Sequence, residues 1–180
     1  MSIRLRITAV VGLTLGWCSA LADSPTAQQL YDRFKVARLA LVEQGPPGAL
    51  DLYTRQFIAD SPDFTGIGIV SAVYSYRLVA SEDGALALEM QLTTNLCGKA
   101  GADRPALDTY SFVNEDGTWR VARIRMSSLP KDLKWYRADL SPIDRFPYFS
   151  PADHMVAWNE LFARLGSSKR VSNPCAKESR

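Results

Sequence analysis

Val70-Ser71-Ala72-Val73-Tyr74-Ser75-Tyr76-Arg77-Leu78 and Leu86-Ala87-Leu88-Glu89-Met90-Gln91-Leu92-Thr93 are the stretches that decide the fold. In the first, Val70, Ala72, Tyr74, Tyr76 and Leu78 alternate with Ser71, Ser75 and Arg77. In the second, Leu86, Leu88, Met90 and Leu92 alternate with Ala87, Glu89, Gln91 and Thr93. A period of two sends successive side chains to opposite faces, so each stretch reads as a half-buried strand. Ser81-Glu82-Asp83-Gly84 reads as a turn, and so short a link joins the strands as an antiparallel hairpin.

Working outward, Leu96 to Ala106 reads as a loop, and Tyr110 and Phe112 open a third strand. Asn114-Glu115-Asp116-Gly117 is the strongest turn signal in the chain. Trp119 to Met126 follows as a fourth strand. Its apolar phase slips between Val121 and Ile124, which predicts a bulge near Ala122-Arg123. Upstream, Ser24-Pro25 predicts a helix start, and Ala27, Leu30, Phe34, Ala37 and Leu41 repeat at helical spacing until Gly45-Pro46-Pro47-Gly48 stops them. A second, shorter helix is expected through Leu50, Tyr53 and Phe57, ending before Ser61-Pro62. Downstream, Ser150-Pro151-Ala152-Asp153 starts a last helix with the stripe Met155, Trp158, Leu161, Phe162 and Leu165, closed by Gly166. The fold class is therefore α+β: N-terminal helices packed on a curved four-stranded antiparallel sheet, plus a C-terminal helix.

The first 22 residues read as a secretory signal peptide. Arg4 and Arg6 supply a positive start, Ile7 to Ser19 is apolar or small and too short to span a bilayer, and Ala20-Leu21-Ala22 offers the small residues a signal peptidase needs. The expected organisation is a signal at 1–22, one α+β domain at 23–166 and a polar tail at 167–180, with no stable membrane anchor after cleavage. The chain has 21 Lys and Arg against 19 Asp and Glu; without Arg4 and Arg6 each sign numbers 19. A neutral mature chain has no bulk electrostatic reason to bind nucleic acid. Cys18 leaves with the signal, and Cys97 and Cys175 remain as an even pair, expected to form a disulfide in a periplasmic or secreted protein.

The hairpin Tyr110-Ser111-Phe112-Val113-Asn114-Glu115-Asp116-Gly117-Thr118-Trp119-Arg120-Val121, together with the order of elements over residues 25–128, resembles the nuclear transport factor two-like superfamily, also called SnoaL-like. The cystatin-like folds are a more distant likeness. The resemblance implies a cone of helices and sheet. Such folds host isomerases, hydratases, small-ligand carriers and interaction modules, so it does not select among activities. This chain departs by running about 50 residues past the last strand, a length that bears on whether the cone is open.

Chemistry-bearing residues are few. His154 is the only histidine and, after Asp108, the second candidate for acid-base chemistry; it sits at a polar position in the first turn of the last helix, where the alternative is a surface or capping-region role. Asp108 shares strand parity with Tyr110 and Phe112, so it points inward more readily than Glu89 and is the better candidate base. Arg123 and Arg125 share a strand face suited to an acidic partner or a carboxylate ligand, the alternative being a solvated outer face. Five aromatics fall in residues 135–149, and Trp135, Tyr136 and Tyr148 are the candidate binding rings, the alternative being a strap packed on the sheet. No Cys-x-x-Cys, metal-ligand spacing or nucleophile elbow is present, so no metal and no cofactor are expected. The expectation is an exported non-catalytic binding protein of the cell envelope, holding a protein partner or small apolar ligand. The alternative is a small SnoaL-like enzyme using a pocket carboxylate.

Overall fold

A computed structural model describes residues 24–60, 65–81, 85–128, 141–150, 153–164, 166 and 175. The expected signal peptide at 1–22, the candidate rings Trp135 and Tyr136, and the expected polar tail apart from Cys175 lie outside them. The chain order is α1 (Ala27–Gln44), α2 (Pro46–Ala49), α3 (Arg55–Asp60), α4 (Thr65–Gly68), β1 (Val70–Ala80), β2 (Leu86–Thr94), β3 (Arg104–Glu115), β4 (Thr118–Ser128), β5 (Asp144–Arg145) and α5 (Met155–Arg164). The α+β class holds, but the antiparallel sheet has five strands, ordered β4-β3-β2-β1-β5. The added strand is only two residues long, with no alternation to reveal it.

Helix α1 starts one turn-signal later than Ser24-Pro25 suggests. Thr26 caps it, accepting from the Gln29 amide at 3.2 Å while Gln29 Oε1 accepts from the Thr26 amide at 2.8 Å. This reciprocal box satisfies two donors that a helix start otherwise leaves without partners, and of the two hydroxyl residues Ser24 and Thr26 only Thr26 has a glutamine three residues on. The expected second helix is broken. After α2 and a 3-10 turn at Leu50–Leu52, Tyr53 is extended and bridges Val121, and the Thr54 amide donates to the Val121 carbonyl at 3.0 Å. Pairing with the free edge of β4 draws the chain out of helix, and Thr54 Oγ1 then accepts from the Phe57 amide to start α3.

Strand β1 does not keep one phase. Register shifts fall between Val70 and Ala72 and between Val73 and Ser75. Val70, Val73, Tyr76 and Leu78 therefore join the core, and Tyr74 does not, contrary to strict alternation. In β4 the irregularity lies where the phase slip placed it: Ser111 pairs with Arg123 and Phe112 with Val121, leaving Ala122 as the extra residue. Asp116 and Gly117 take φ of 53° and 79°, as a two-residue hairpin turn of matching twist requires. Strand β3 begins at Arg104, so the preceding loop is shorter than its Gly and charge content suggested.

One face of the sheet packs on α1. Leu30, Tyr31, Phe34, Ala37 and Leu41 of the helix meet Leu88, Met90, Leu92, Tyr110, Phe112 and Val121, with Trp158 and Phe162 of α5 in the same core. Rings give this core its geometry: Phe34 meets Tyr110 edge-on at 5.4 Å and Phe146 at 6.1 Å, and Tyr31 stacks on Tyr76 at 4.2 Å.

Candidate functional site

Asp108 lies on β3 opposite Met90 of β2 and Met126 of β4, and its side chain faces the core as its parity with Tyr110 suggested. It is 1 % exposed, and neither carboxyl oxygen has a hydrogen-bond partner or contact with solvent. Burial pushes its acid up to about 7, because charge is costly where water is excluded. The Ser127 backbone N–H pulls the other way without meeting hydrogen-bond geometry. Next on the same face, Tyr110 is 1 % exposed with an unpartnered hydroxyl, held well above the usual phenol range first by burial and then by Asp108.

Arg38 is the residue that sequence reading passed over. It falls one helical turn after Phe34, inside the apolar stripe of α1, and that misplaced charge was the available signal. The residue is 1 % exposed. Nε and NH2 donate to the Val70 carbonyl at 3.3 and 3.1 Å, NH2 donates to the Pro147 carbonyl at 2.7 Å, and the group lies 5.5 Å from the Phe146 ring centroid. NH1 has no partner. Burial lowers its pKa to about 10, so it stays charged at neutral pH.

The segment 141–150 closes over Arg38. Asp144 fastens it to α1, accepting from Tyr31 Oη at 2.7 Å and Lys35 Nζ at 2.5 Å. Burial works upward on Asp144, but those two donors outweigh it and hold the carboxyl below its usual range. Phe146 and Phe149 are buried. Tyr148 is 46 % exposed; its ring rests against Gly98, so close that any Cβ there would collide with it, and its hydroxyl is 3.4 Å from the Leu96 carbonyl. This segment is thus a strap with one ring left outside. Between it and the sheet lies a cleft of about 90 Å³ lined by Arg38, Ile69, Ser71, Asn95, Phe146 and Tyr148, among others.

The other candidates fall elsewhere. His154 stacks on Phe149 at 4.6 Å with Nδ1 facing Gly45, an end-of-helix packing role. Glu89 accepts from Arg77 at 2.6 Å on the outer sheet face, where it lines a groove of about 180 Å³ with Thr109, Ser111, Arg123 and Arg125. Cys97 and Cys175 form the expected disulfide. Among the described residues no cluster of His, Cys, Asp and Glu is placed to hold a metal, and no helix is long and apolar enough to cross a membrane. No family model, curated protein or solved structure matches the chain.

Proposed function

We propose that the chain is an exported, non-catalytic binding protein of the cell envelope that holds a small ligand, or a protruding group of a partner, at the strap. The observation that carries this reading is the cleft beneath Tyr148, which joins an exposed aromatic ring to a buried arginine short of one partner. Exposed rings over a desolvated charge are how binding sites combine apolar area with orientation. The disulfide and the signal-like amino terminus support export. Native mass spectrometry of protein recovered gently from its host envelope tests the reading. A bound adduct or partner is expected, and Tyr148→Ala should lose it. Material with neither, or with an adduct indifferent to Tyr148, counts against the proposal.

A second reading is favoured by one observation. Asp108, with an acid near neutrality and no partner, has the properties of a general base in a SnoaL-like enzyme. A base must touch its substrate, yet both oxygens are out of solvent contact and Asp108 lines neither the cleft beneath the strap nor the outer groove. Carbodiimide labelling of the folded protein separates the two readings: a binding protein with a filled core leaves Asp108 unlabelled until unfolding, whereas an enzyme that opens to its substrate labels it in the native state.

A further inference from the structure

Two of the residues that line the cleft beneath the strap carry a polar atom that nothing satisfies. Arg38 NH1 is a donor and Asn95 Oδ1 an acceptor; both are buried, both belong to residues that line the cleft, and neither has a partner. The orientation of Asn95 is fixed, because its Nδ2 donates to the Lys99 carbonyl and to Asp103 Oδ1, each at 3.0 Å. Arg38 is a full positive charge whose partners are two carbonyl oxygens and a ring, with no carboxylate in ion-pair range among the described residues. A buried cation without a counter-ion is a costly arrangement, and a buried amide oxygen without a donor adds to it.

We infer that this cleft is a binding site for a small carboxylate carrying a hydrogen-bond donor on the adjacent carbon, the carboxylate pairing with Arg38 and the donor reaching Asn95 Oδ1. The inference rests on the proposed binding function and names its ligand class, in place of the apolar ligand that the aromatic content suggests. Size agrees: about 90 Å³ is the share of roughly three liquid waters, enough for a two-carbon acid or the acid end of a longer molecule. Both atoms are out of solvent contact while Tyr148 is seated, so the ligand reaches them by displacing this ring, which is half outside and rests on Gly98 with one long hydrogen bond.

The test is an amide and guanidinium NMR titration of the disulfide-bonded chain with acetate, glycolate and acetamide at matched chloride. Acetate should shift Arg38 Nε–H and the amides of Ile69, Val70 and Ser71 saturably. Glycolate should do so about fivefold more tightly, the worth of one added hydrogen bond. Acetamide, neutral and the same shape, should not. Arg38→Lys should weaken acetate about tenfold or more, since an ammonium cannot hold the Val70 and Pro147 carbonyls in the guanidinium geometry and still aim a donor at the ligand. Asn95→Ala lies in a loop pinned by the disulfide, so it serves where the α1 variant fails to fold; it should leave acetate within about twofold and abolish the advantage of glycolate. The inference is overturned by the absence of saturable shifts up to about 100 mM, enough to fill a millimolar site. Equal binding of acetamide, or an advantage of glycolate that survives Asn95→Ala, overturns it too. If acetate fails while a Tyr148-dependent adduct still arrives from the envelope, the ligand class is wrong and the binding reading stands; if both fail, both fall.

Discussion

Replacing Asp108 with Asn separates what this residue does for the fold from what it does for function. The carboxyl sits at about 7 in the folded chain against 3.8 unperturbed. A carboxyl raised on folding contributes its full share of stability below pH 3.8, and that share drains away as pH climbs through 7. Each tenfold change in proton affinity is worth about 1.4 kcal/mol, so the difference amounts to at most about 4 kcal/mol between pH 4 and pH 8. Relaxation and water penetration reduce it, and about 2–4 kcal/mol is the working range. Asn has nearly the same shape and never ionises. Asp108→Asn should therefore match the wild type near pH 4 and exceed it by about 2–4 kcal/mol at pH 8, roughly 5–15 °C in melting temperature. Urea unfolding at several pH values, with the disulfide intact, measures both curves. Parallel curves for wild type and variant across that range, or a variant weaker at pH 8, would refute the claim that Asp108 is a dry, unpartnered acid. The magnitude bears on function too, because a residue this costly at neutral pH is more easily retained for a task than for the fold.

Asp144→Asn should loosen the strap by about 1–2 kcal/mol through the weakened bonds from Tyr31 and Lys35, read as faster amide exchange at Ile143 and Phe146, whose amides donate to Val73 and Ser71. The wild-type strap should loosen likewise on acidification, because a carboxyl held below its usual range contributes stability that is lost as it protonates. Thiol titration of the unfolded, unreduced protein should find neither Cys97 nor Cys175 free, and Cys175→Ser should cost about 2–4 kcal/mol by releasing a closure of 78 residues. Phe146→Ala, which empties the space against Phe34 and Arg38, should cost about 3–4 kcal/mol in thermal melts, while Tyr148→Ala should cost under about 1 kcal/mol and abolish binding. Equal costs at the two positions would show that the strap is not divided into a buried and an exposed part.

The long strands were legible because burial on one face imposes a period of two. The phase slip in β4 even located its bulge, since a single extra residue such as Ala122 must move every later side chain to the other face. The bulges of β1 were not legible: Val70 to Leu78 alternates well enough on paper, and only pairing with Thr93 and Leu92 reveals the shifts. Strand β5 and the extended Tyr53 were invisible for the same reason, as each is fixed by a partner strand and not by its own sequence. At the site, Asp108 was found by parity. Arg38 was missed because a charge within a helical stripe reads as a tolerated exception until its burial is known, and Tyr148 could be named as an aromatic but not told apart from Phe146 and Phe149.

Arg38 and Asp108 share one core, and each is felt by Tyr110, yet no ion pair joins them. Their costs are met separately. Asp108 sheds its charge by keeping a proton, whereas Arg38 keeps its charge and draws on the Val70 and Pro147 carbonyls and the Phe146 ring. Two of those three groups belong to the strap, so the strap is much of the solvation shell of a buried cation. It follows that strap and charge are energetically coupled. Arg38→Met removes the charge while keeping most of the bulk, and such replacements are often neutral or stabilising when packing is preserved. In that background Phe146→Ala should cost about 1–2 kcal/mol less than in the wild type, because the ring no longer faces a cation. A double-mutant cycle in urea measures this coupling directly. Additive costs would mean that Phe146 acts by volume alone, and that the strap is a hydrophobic cover with no electrostatic hold on Arg38.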